Sequence, residues 1–183
     1  MNCNCIIEYK NIRLRSLKED DLKFLMMLRN DESVSKYLSK IGKISFGQQL
    51  NWYKNVIERE NEVVFAIEDE HKKIVGSCSI YDINNEVAEW GKIMVDLNMS
   101  GKKIGYNAMI ASLYYGFEFL SINNFFARVY DKNVTSKKNL IKAGFDVIEE
   151  RFVDNKKELL LKLEKERYYN IHNDKNLINV TKD

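Results

Sequence analysis

A short segment after an apolar stretch combines two glycines with two lysines. Val95 ends the apolar stretch, and Gly101 and Gly105 follow it ahead of a helical pattern. Lys102 and Lys103 stand between the glycines. A helix start presents free backbone N–H groups and a partial positive charge, and glycine lets the backbone approach a bulky anion closely. The segment therefore suits a pyrophosphate group, although two glycines alone also fit an ordinary tight turn.

Two common phosphate-binding motifs do not describe this segment. A P-loop needs Gly-Lys followed by Ser or Thr, which is absent here. A dinucleotide-binding Rossmann site has a different glycine spacing and uses the first strand of its domain.

The elements around this segment alternate between strand and helix patterns. Strands are predicted over residues 12–17, 63–67, 74–80, 87–95, 124–130, 147–153 and 158–163. Helices are predicted from Asp20 or Asp21, from a Ser45–Gln48 capping box, over 106–119 and over 135–143 with Gly144 as the C-cap. This order predicts an α/β fold around a largely antiparallel sheet. We expect one domain over residues 1–163 and a polar tail over 164–183 that is loosely attached or partly helical.

Length and composition exclude several classes of protein. The 183 residues are enough for one domain. Twenty-nine basic and 27 acidic residues give a net charge of +2, which argues against a nucleic-acid partner. The apolar runs are too short for a membrane span, and no secretory signal is expected, so a cytoplasmic location is predicted. Cys3, Cys5 and Cys78 are expected to be reduced, and isolated His71 and His172 make a metal site unexpected.

Three motifs, in this order along the chain, resemble those of the GNAT N-acetyltransferases. Ala88-Glu89-Trp90-Gly91 is similar to the strand that precedes the family's acyl-CoA loop. The segment from Val95 to Gly105 resembles that loop, which usually reads Arg/Gln-x-x-Gly-x-Gly/Ala. Asn133-Val134-Thr135-Ser136, followed by Ala143-Gly144-Phe145, resembles the family's Asn-x-x-Ala/Ser … Gly-Phe segment. The resemblance covers about residues 10–163. It implies the GNAT fold, a mixed and mostly antiparallel sheet of six to seven strands flanked by about four helices.

The same resemblance implies acetyl transfer from acetyl-CoA to an amine, without a metal ion. Glu89 is then the general base, and an unbroken strand would place it on the same face as Val95. A strand carboxylate paired with Arg128 or a lysine is the alternative reading, and Glu86 is a weaker candidate base. Ser136 is the candidate general acid because Leu140 stands where many members have Tyr. A hydroxyl that only caps the helix is the alternative for Ser136.

The resemblance also assigns residues to the donor, acetyl-CoA. These are Met94, Val95, Gly101, Lys102, Lys103, Ile104, Gly105, Tyr106, Asn133 and Lys138. Two positions depart from the family pattern. Ser100 replaces the usual Arg or Gln, and Lys103 replaces the first Gly of the Gly-x-Gly pair. A positive φ at Lys103 would cost about 1 kcal/mol or more.

The acceptor is expected to be a small-molecule amine. An Arg-Asn pair followed by an aromatic helix resembles the branch that acetylates nucleotide-linked amino sugars, which makes Arg29, Asn30 and Trp52 candidates for acceptor binding. Tyr81 and Trp90, the neighbours of Glu89, are further candidates for the acceptor pocket, with core packing as the alternative. A helix-end cation and core packing are the alternatives for Arg29 and Trp52.

Other functions remain open at this point. A polyamine, a protein N-terminal amine, as in the branch that acetylates ribosomal proteins, and a non-catalytic acyl-CoA-binding module are the alternatives. Three lysines, Lys36, Lys40 and Lys43, follow the acidic pair at residues 31 and 32, which does not favour a polycationic acceptor. A monomer or a homodimer is expected.

Overall fold

The structure is a computed structural model, and it describes residues 5–36 and 42–182. Cys3 and Lys40 lie outside the described residues. Nine strands are present in this part of the chain: β1 (Cys5–Tyr9), β2 (Ile12–Ser16), β3 (Val63–Asp69), β4 (Ile74–Asn84), β5 (Val87–Val95), β6 (Asn124–Tyr130), β7 (Asp146–Val153), β8 (Lys156–Glu164) and β9 (Asn179–Lys182). Six α-helices accompany them: α1 (Leu22–Asn30), α2 (Glu32–Ser35), α3 (Phe46–Ile57), α4 (Ile104–Phe119), α5 (Val134–Ala143) and α6 (Lys165–Ile171).

All nine strands belong to one sheet, in the order β7-β8-β6-β5-β4-β3-β2-β1-β9. Neighbouring strands are antiparallel except β5 and β6, which are parallel. The predicted α/β fold with a mixed, mostly antiparallel sheet is therefore confirmed. The sheet has more than the six to seven strands expected, because β1 and β9 were not predicted from the sequence. Helices α2 and α6 are additional to the four predicted helices.

The parallel pair β5–β6 opens along its length. Ladder partners join Val87, Ala88 and Glu89 to Asn124, Phe125 and Phe126, and none follow these pairs, although β5 runs on to Val95 and β6 to Tyr130. The two strands part after Glu89, as expected if an extended ligand has to enter the sheet.

A β-bulge deforms β5 beyond this fork. Ser77 pairs with Met94 and Ser79 with Gly91, so β5 has one residue more than β4 between the two pairs. Lys92 lies in this interval with φ 50°. Close approach of the two backbones at the end of the bulge requires a glycine in β4, because a Cβ on Gly76 would lie 2.2 Å from the Met94 carbonyl oxygen.

Helix α4 forms the centre of the core. Ten of its residues are buried, and it packs on β1, β2, β4 and β5. Segment 165–182, expected to be loosely attached or partly helical, forms α6 and β9. Tyr168 of α6 is fully buried and donates to the Ile110 carbonyl oxygen of α4, and β9 pairs with β1.

Helices α1 and α3 form a second, smaller core on the sheet. The Ser45–Gln48 capping box that starts α3 is confirmed. The predicted capping of α1 by Asp21 is wrong, because the Asp21 carboxylate instead accepts from the buried Arg15 guanidinium at 2.7 and 2.9 Å. Arg15 also donates to Glu68 of β3 at 2.6 Å, and these carboxylates raise its pKa. The ion pairs fix the start of α1 to the sheet.

Cysteine states differ from the expectation at one position. Cys78 is a free thiol that is fully buried, and burial raises its pKa to about 12. Cys5 is disulfide-bonded, so the prediction of reduced thiols is wrong for that residue.

In the described residues no helix has the length and apolar character needed to cross a membrane, and no cluster of three or more His, Cys, Asp or Glu side chains is suited to a metal ion.

Candidate active site

The parted strands β5 and β6 enclose a cavity of about 710 Å³. Its described walls come from α2, β4, β5, the loop before α4, the start of α4, β6, α5 and β8. Twelve of the residues predicted for the site line it: Tyr81, Glu89, Trp90, Met94, Val95, Gly101, Lys103, Ile104, Gly105, Tyr106, Asn133 and Ser136. The sequence motifs therefore converge on one space although they lie up to 55 residues apart in the chain.

The loop between β5 and α4 turns into the helix through two residues with positive φ. Gly101 has φ 79°, and Lys103, the N-cap of α4, has φ 59° and ψ 18°. Lys103 therefore adopts the positive φ that is disfavoured for a residue with a Cβ. The free N–H groups of the first turn of α4 lie directly after it, and the Lys103 side chain adds a cation at the same place. This chemistry fits a pyrophosphate.

Glu89 stands at the fork where β5 and β6 part, since its pairing with Phe126 is the last on that side. Its carboxylate is mostly shielded, with 14% of the side chain exposed. The Tyr81 hydroxyl donates to Glu89 Oε1 at 2.6 Å, and Arg128 Nε lies 3.3 Å from Oε2. Burial first, and the Glu89 carboxylate second, raise the Tyr81 pKa, so the phenol remains a donor at neutral pH.

The sequence leaves a contact with Arg128 open as the alternative to a catalytic role for Glu89. Glu89 is ion-paired with Arg128 and also lines the cavity. Arg128 extends toward Glu158 of β8, with 4.0 Å between Nη1 and Oε2, and Arg151 binds the same carboxylate at 2.6 Å. Glu158 was not predicted from the sequence, because its only sequence signal is an acidic residue in a charged hairpin.

Two predicted acceptor residues adjoin Glu89. Lys92 Nζ stands over the Tyr81 ring, 4.1 Å from its centre, and donates to Glu62 at 2.5 Å. Trp90 is 3% exposed and its indole N–H donates to Ser112 of α4 at 2.8 Å. Trp90 is thus a core residue with one edge at the cavity.

Helix α5 presents Asn133 and Ser136 to the opposite wall. Asn133 is the N-cap, and its side-chain oxygen accepts from the Ser136 backbone N–H at 3.2 Å. The capping role considered for the Ser136 hydroxyl is therefore filled by Asn133. Leu140, one turn on, is buried and also lines the cavity.

Lysines around the cavity differ from those expected. Lys103 lines it, whereas Lys102 and Lys138 are absent from its described lining. Lys142, in the last turn of α5, does line it, and its Nζ stands 4.5 Å from the centre of the Tyr106 ring. Its sequence signal was its position two residues before the Gly144 C-cap, where a cation also favours a helix end.

Three predicted acceptor residues lie elsewhere on α1 and α3. Arg29, Asn30 and Trp52 are absent from the described lining, to which neighbouring α2 contributes Ser33 and Val34. The Asn30 amide donates to the Ile44 carbonyl oxygen at 2.8 Å and accepts from the Ile44 N–H at 2.9 Å. Trp52 packs in the second core.

The chain is similar to proteins of one known family. The family model described as "Acetyltransferase (GNAT) domain" matches residues 11–146. Spermidine N(1)-acetyltransferase of Vibrio cholerae is 24% identical over 79% of this chain and 87% of its own length, and that of Escherichia coli K12 is 26% identical over 75% and 74%.

Solved structures show the same fold. The Vibrio cholerae spermidine N-acetyltransferase bound to CoA and spermine has a TM-score of 0.79 at 22% identity, covering 86% of this chain and 98% of that one. A nucleotide-linked sugar GNAT, FdhC, has a TM-score of 0.78 at 22% identity and covers 93% and 94%. With the family match over most of the chain, the protein belongs to the GNAT family and is an acetyl-CoA-dependent N-acetyltransferase.

Proposed function

We propose that this enzyme transfers the acetyl group to a primary amine of a small molecule, with Glu89 as the general base. The observation that supports this most directly is the position of Glu89 at the fork of the sheet, inside the cavity, where β5 and β6 cease to pair. An acetyl group held along the opened edge of β5 would meet an amine arriving beside this carboxylate.

The donor would lie along the fork. Backbone groups of β5 from Ile93 to Val95 have no β6 partners and are available to the thioester and the pantetheine arm. Asn133 uses its oxygen for the α5 cap, which leaves its Nδ2 group as a donor for the pantetheine. Gly101, Lys103 and the first turn of α4 would hold the pyrophosphate.

Proton transfer in the proposed reaction uses two residues. Glu89 takes a proton from the ammonium form of the acceptor, directly or through water, and the amine nitrogen then attacks the thioester carbonyl carbon. The new C–N bond forms as the C–S bond breaks. Ser136 donates its hydroxyl proton to the departing thiolate and is reprotonated, through water, by the second proton that the nitrogen loses as the amide forms.

For the acceptor, we propose an amino sugar, nucleotide-linked, ahead of a polyamine. Beyond the base, a polyamine needs several carboxylates that are free to bind its other ammonium groups, but Glu158 is already paired with Arg151. Arg29, close to α2 at the end of α1, is the proposed ligand of the nucleotide phosphates. Asn30 would contribute indirectly, since it holds the start of α3.

A polyamine is the second candidate because the curated relatives named above are spermidine N(1)-acetyltransferases. Rates of CoA thiol release with an amino-sugar nucleotide, the free amino sugar, spermidine and an N-terminal peptide separate these possibilities. The amino-sugar nucleotide is expected to give the highest kcat/KM. A higher value for spermidine would overturn the proposed acceptor while leaving the proposed reaction in place.

The base is tested with Glu89→Gln. We expect kcat/KM to fall by about 10²–10⁴-fold, as for loss of a general base, with the acetyl-CoA Kd unchanged. Glu86→Gln is the matched control, because Glu86 lies in the exposed turn before β5 and outside the described cavity lining. Stabilisation by acetyl-CoA without turnover of any amine would point instead to an acyl-CoA-binding module. At 100 times its Kd the ligand should raise the Tm by about 5–10 °C.

A further inference from the structure

The side chain of Asn11 joins the β1–β2 turn to the loop in front of α4. Its Nδ2 donates to the Lys102 carbonyl oxygen at 3.0 Å, and its Oδ1 accepts from Asn107 Nδ2 at 2.6 Å. Asn107 is 4% exposed and lies in the first turn of α4. Asn11 thus contacts the backbone just before Lys103 and the helix just after it.

These two contacts bracket a strained residue. Lys103 is held at φ 59°, where a residue with a Cβ is disfavoured, and such conformations persist only where the surroundings fix them. The Asn107 N–H also donates to the Lys103 carbonyl oxygen at 2.8 Å. Asn11 and Asn107 together therefore define the path of the backbone through this residue.

The contact with Lys102 also sets the direction of one N–H group. The Lys102 carbonyl and the Lys103 N–H belong to the same planar trans peptide, so they point in opposite directions. With the carbonyl held by Asn11, the Lys103 N–H points away from the β1–β2 turn. If this peptide turned over, a carbonyl oxygen would replace the N–H and would repel an anion.

We infer that Asn11 is a positioning residue for the pyrophosphate of acetyl-CoA, acting through the Lys102–Lys103 peptide. This inference rests on the proposed placement of the pyrophosphate at this loop. Asn11 itself is absent from the described lining of the cavity, so its effect on the donor is transmitted by the loop.

The test compares two donors in the wild type and in Asn11→Ala. S-acetyl-pantetheine has the thioester and the pantetheine arm but no pyrophosphate or nucleotide. We expect Asn11→Ala to raise the Kd of acetyl-CoA about five- to tenfold, the effect of losing a hydrogen bond that orders the site. The KM of S-acetyl-pantetheine, the KM of the acceptor amine and kcat with saturating acetyl-CoA should remain within twofold.

Two further variants keep this test decisive. Asn61→Ala is the matched control, because Asn61 lies in an exposed turn before β3 and outside the described cavity lining, and it should change no constant. Asn11→Ser keeps a polar turn residue if Asn11→Ala folds poorly, and it should reproduce the selective loss because its hydroxyl is too short to span both contacts.

The possible results distinguish a failure of the role of Asn11 from a failure of the proposed function. An unchanged acetyl-CoA Kd in both Asn11 variants, or an equal loss for both donors, would overturn the role of Asn11. If the wild type itself bound S-acetyl-pantetheine as tightly as acetyl-CoA, the placement of the pyrophosphate at this loop would fail, and the role of Asn11 would fail with it. The general base is tested independently by Glu89→Gln.

Discussion

The Tyr81 hydroxyl lies 2.6 Å from Glu89 Oε1, and the two residues are direct partners across the β4–β5 ladder. The phenol fixes one carboxylate oxygen at the fork of the sheet, and Arg128 stands at the other. In the proposed reaction, a general base held from both sides needs little reorganisation when the amine arrives. We therefore expect Tyr81 to support the proposed base in addition to lining the cavity.

Removing this hydroxyl should lower activity without weakening donor binding. We expect Tyr81→Phe to reduce kcat/KM for the amine about tenfold to a hundredfold, since a hydrogen bond to a charged group contributes about 1.5–3 kcal/mol. Steady-state kinetics measures the loss, and calorimetry should give an unchanged acetyl-CoA Kd. Tyr53→Phe is the control, because Tyr53 lies in the second core and its hydroxyl is 3.5 Å from its acceptor. Wild-type kcat/KM in Tyr81→Phe would contradict a supporting role.

Tyr81 also predicts a pH dependence of stability. Its pKa is raised in the folded state by burial and by Glu89, so above pH 10 the folded protein retains a proton that the unfolded chain loses. Stability from this group is complete below the unfolded pKa of about 10 and decreases as pH rises above it. Between pH 9 and pH 11, the urea midpoint of unfolding should therefore decrease less in Tyr81→Phe than in the wild type. Equal decreases would show that Tyr81 does not contribute.

Substitutions at Ser136 and Asn133 should have different effects, the first on catalysis and the second on helix capping. Because Asn133 caps α5, Ser136→Ala should leave the Tm within about 1 °C while lowering kcat roughly tenfold or more, if the hydroxyl protonates the thiolate. Asn133→Ala should lose about 1 kcal/mol of stability and also bind acetyl-CoA more weakly. Ser136→Ala with full kcat would remove Ser136 as the general acid.

Lys103 combines backbone strain with a useful charge, and two variants distinguish the contributions. Alanine keeps the strain at φ 59° and glycine relieves it, so Lys103→Gly should be more stable than Lys103→Ala by about 1 kcal/mol. Both variants lose the cation and should bind acetyl-CoA more weakly, with a smaller dependence on salt than the wild type. Unfolding curves and calorimetry at two salt concentrations provide the measurements. Unchanged affinity in both variants would place the phosphates away from Lys103.

Sequence patterns predicted most of the fold and one wall of the site. Continuous apolar stretches and helix signals located β5, β6, α4 and α5, and the three motifs on these elements converge as expected. Strand β1, with five residues, was missed although its hairpin partner β2 follows it directly. Strand β9 was missed because it has only four residues and its partner, β1, lies at the other end of the chain. Local periodicity has no signal for such long-range pairing.

The acceptor end was harder to predict for a similar reason. Asn30 has the residue type expected for a ligand, but both ends of its amide are used by the Ile44 backbone, 14 residues further along the chain. Conversely, Glu158 and Arg128 meet through the pairing of β8 with β6, which sequence spacing does not reveal. Side-chain pairs brought together by sheet register are visible only once the register is known.

The close approach of β4 to β5 at Gly76 should couple stability to donor binding. A methyl group at this position would lie 2.2 Å from the Met94 carbonyl oxygen, so Gly76→Ala must displace β5 where its free edge faces the cavity. We expect a loss of about 1–3 kcal/mol of stability and a higher acetyl-CoA Kd at temperatures where the variant is folded. Gly47→Ala is the matched control, because the nearest atom to its new methyl group is 3.9 Å away and alanine favours a helix by about 0.5–1 kcal/mol. Calorimetry below the Tm of both variants gives the Kd. A destabilised Gly76→Ala with wild-type affinity would show that the bulge supports only the fold, whereas a selective loss of affinity would place the donor against the Met94 backbone.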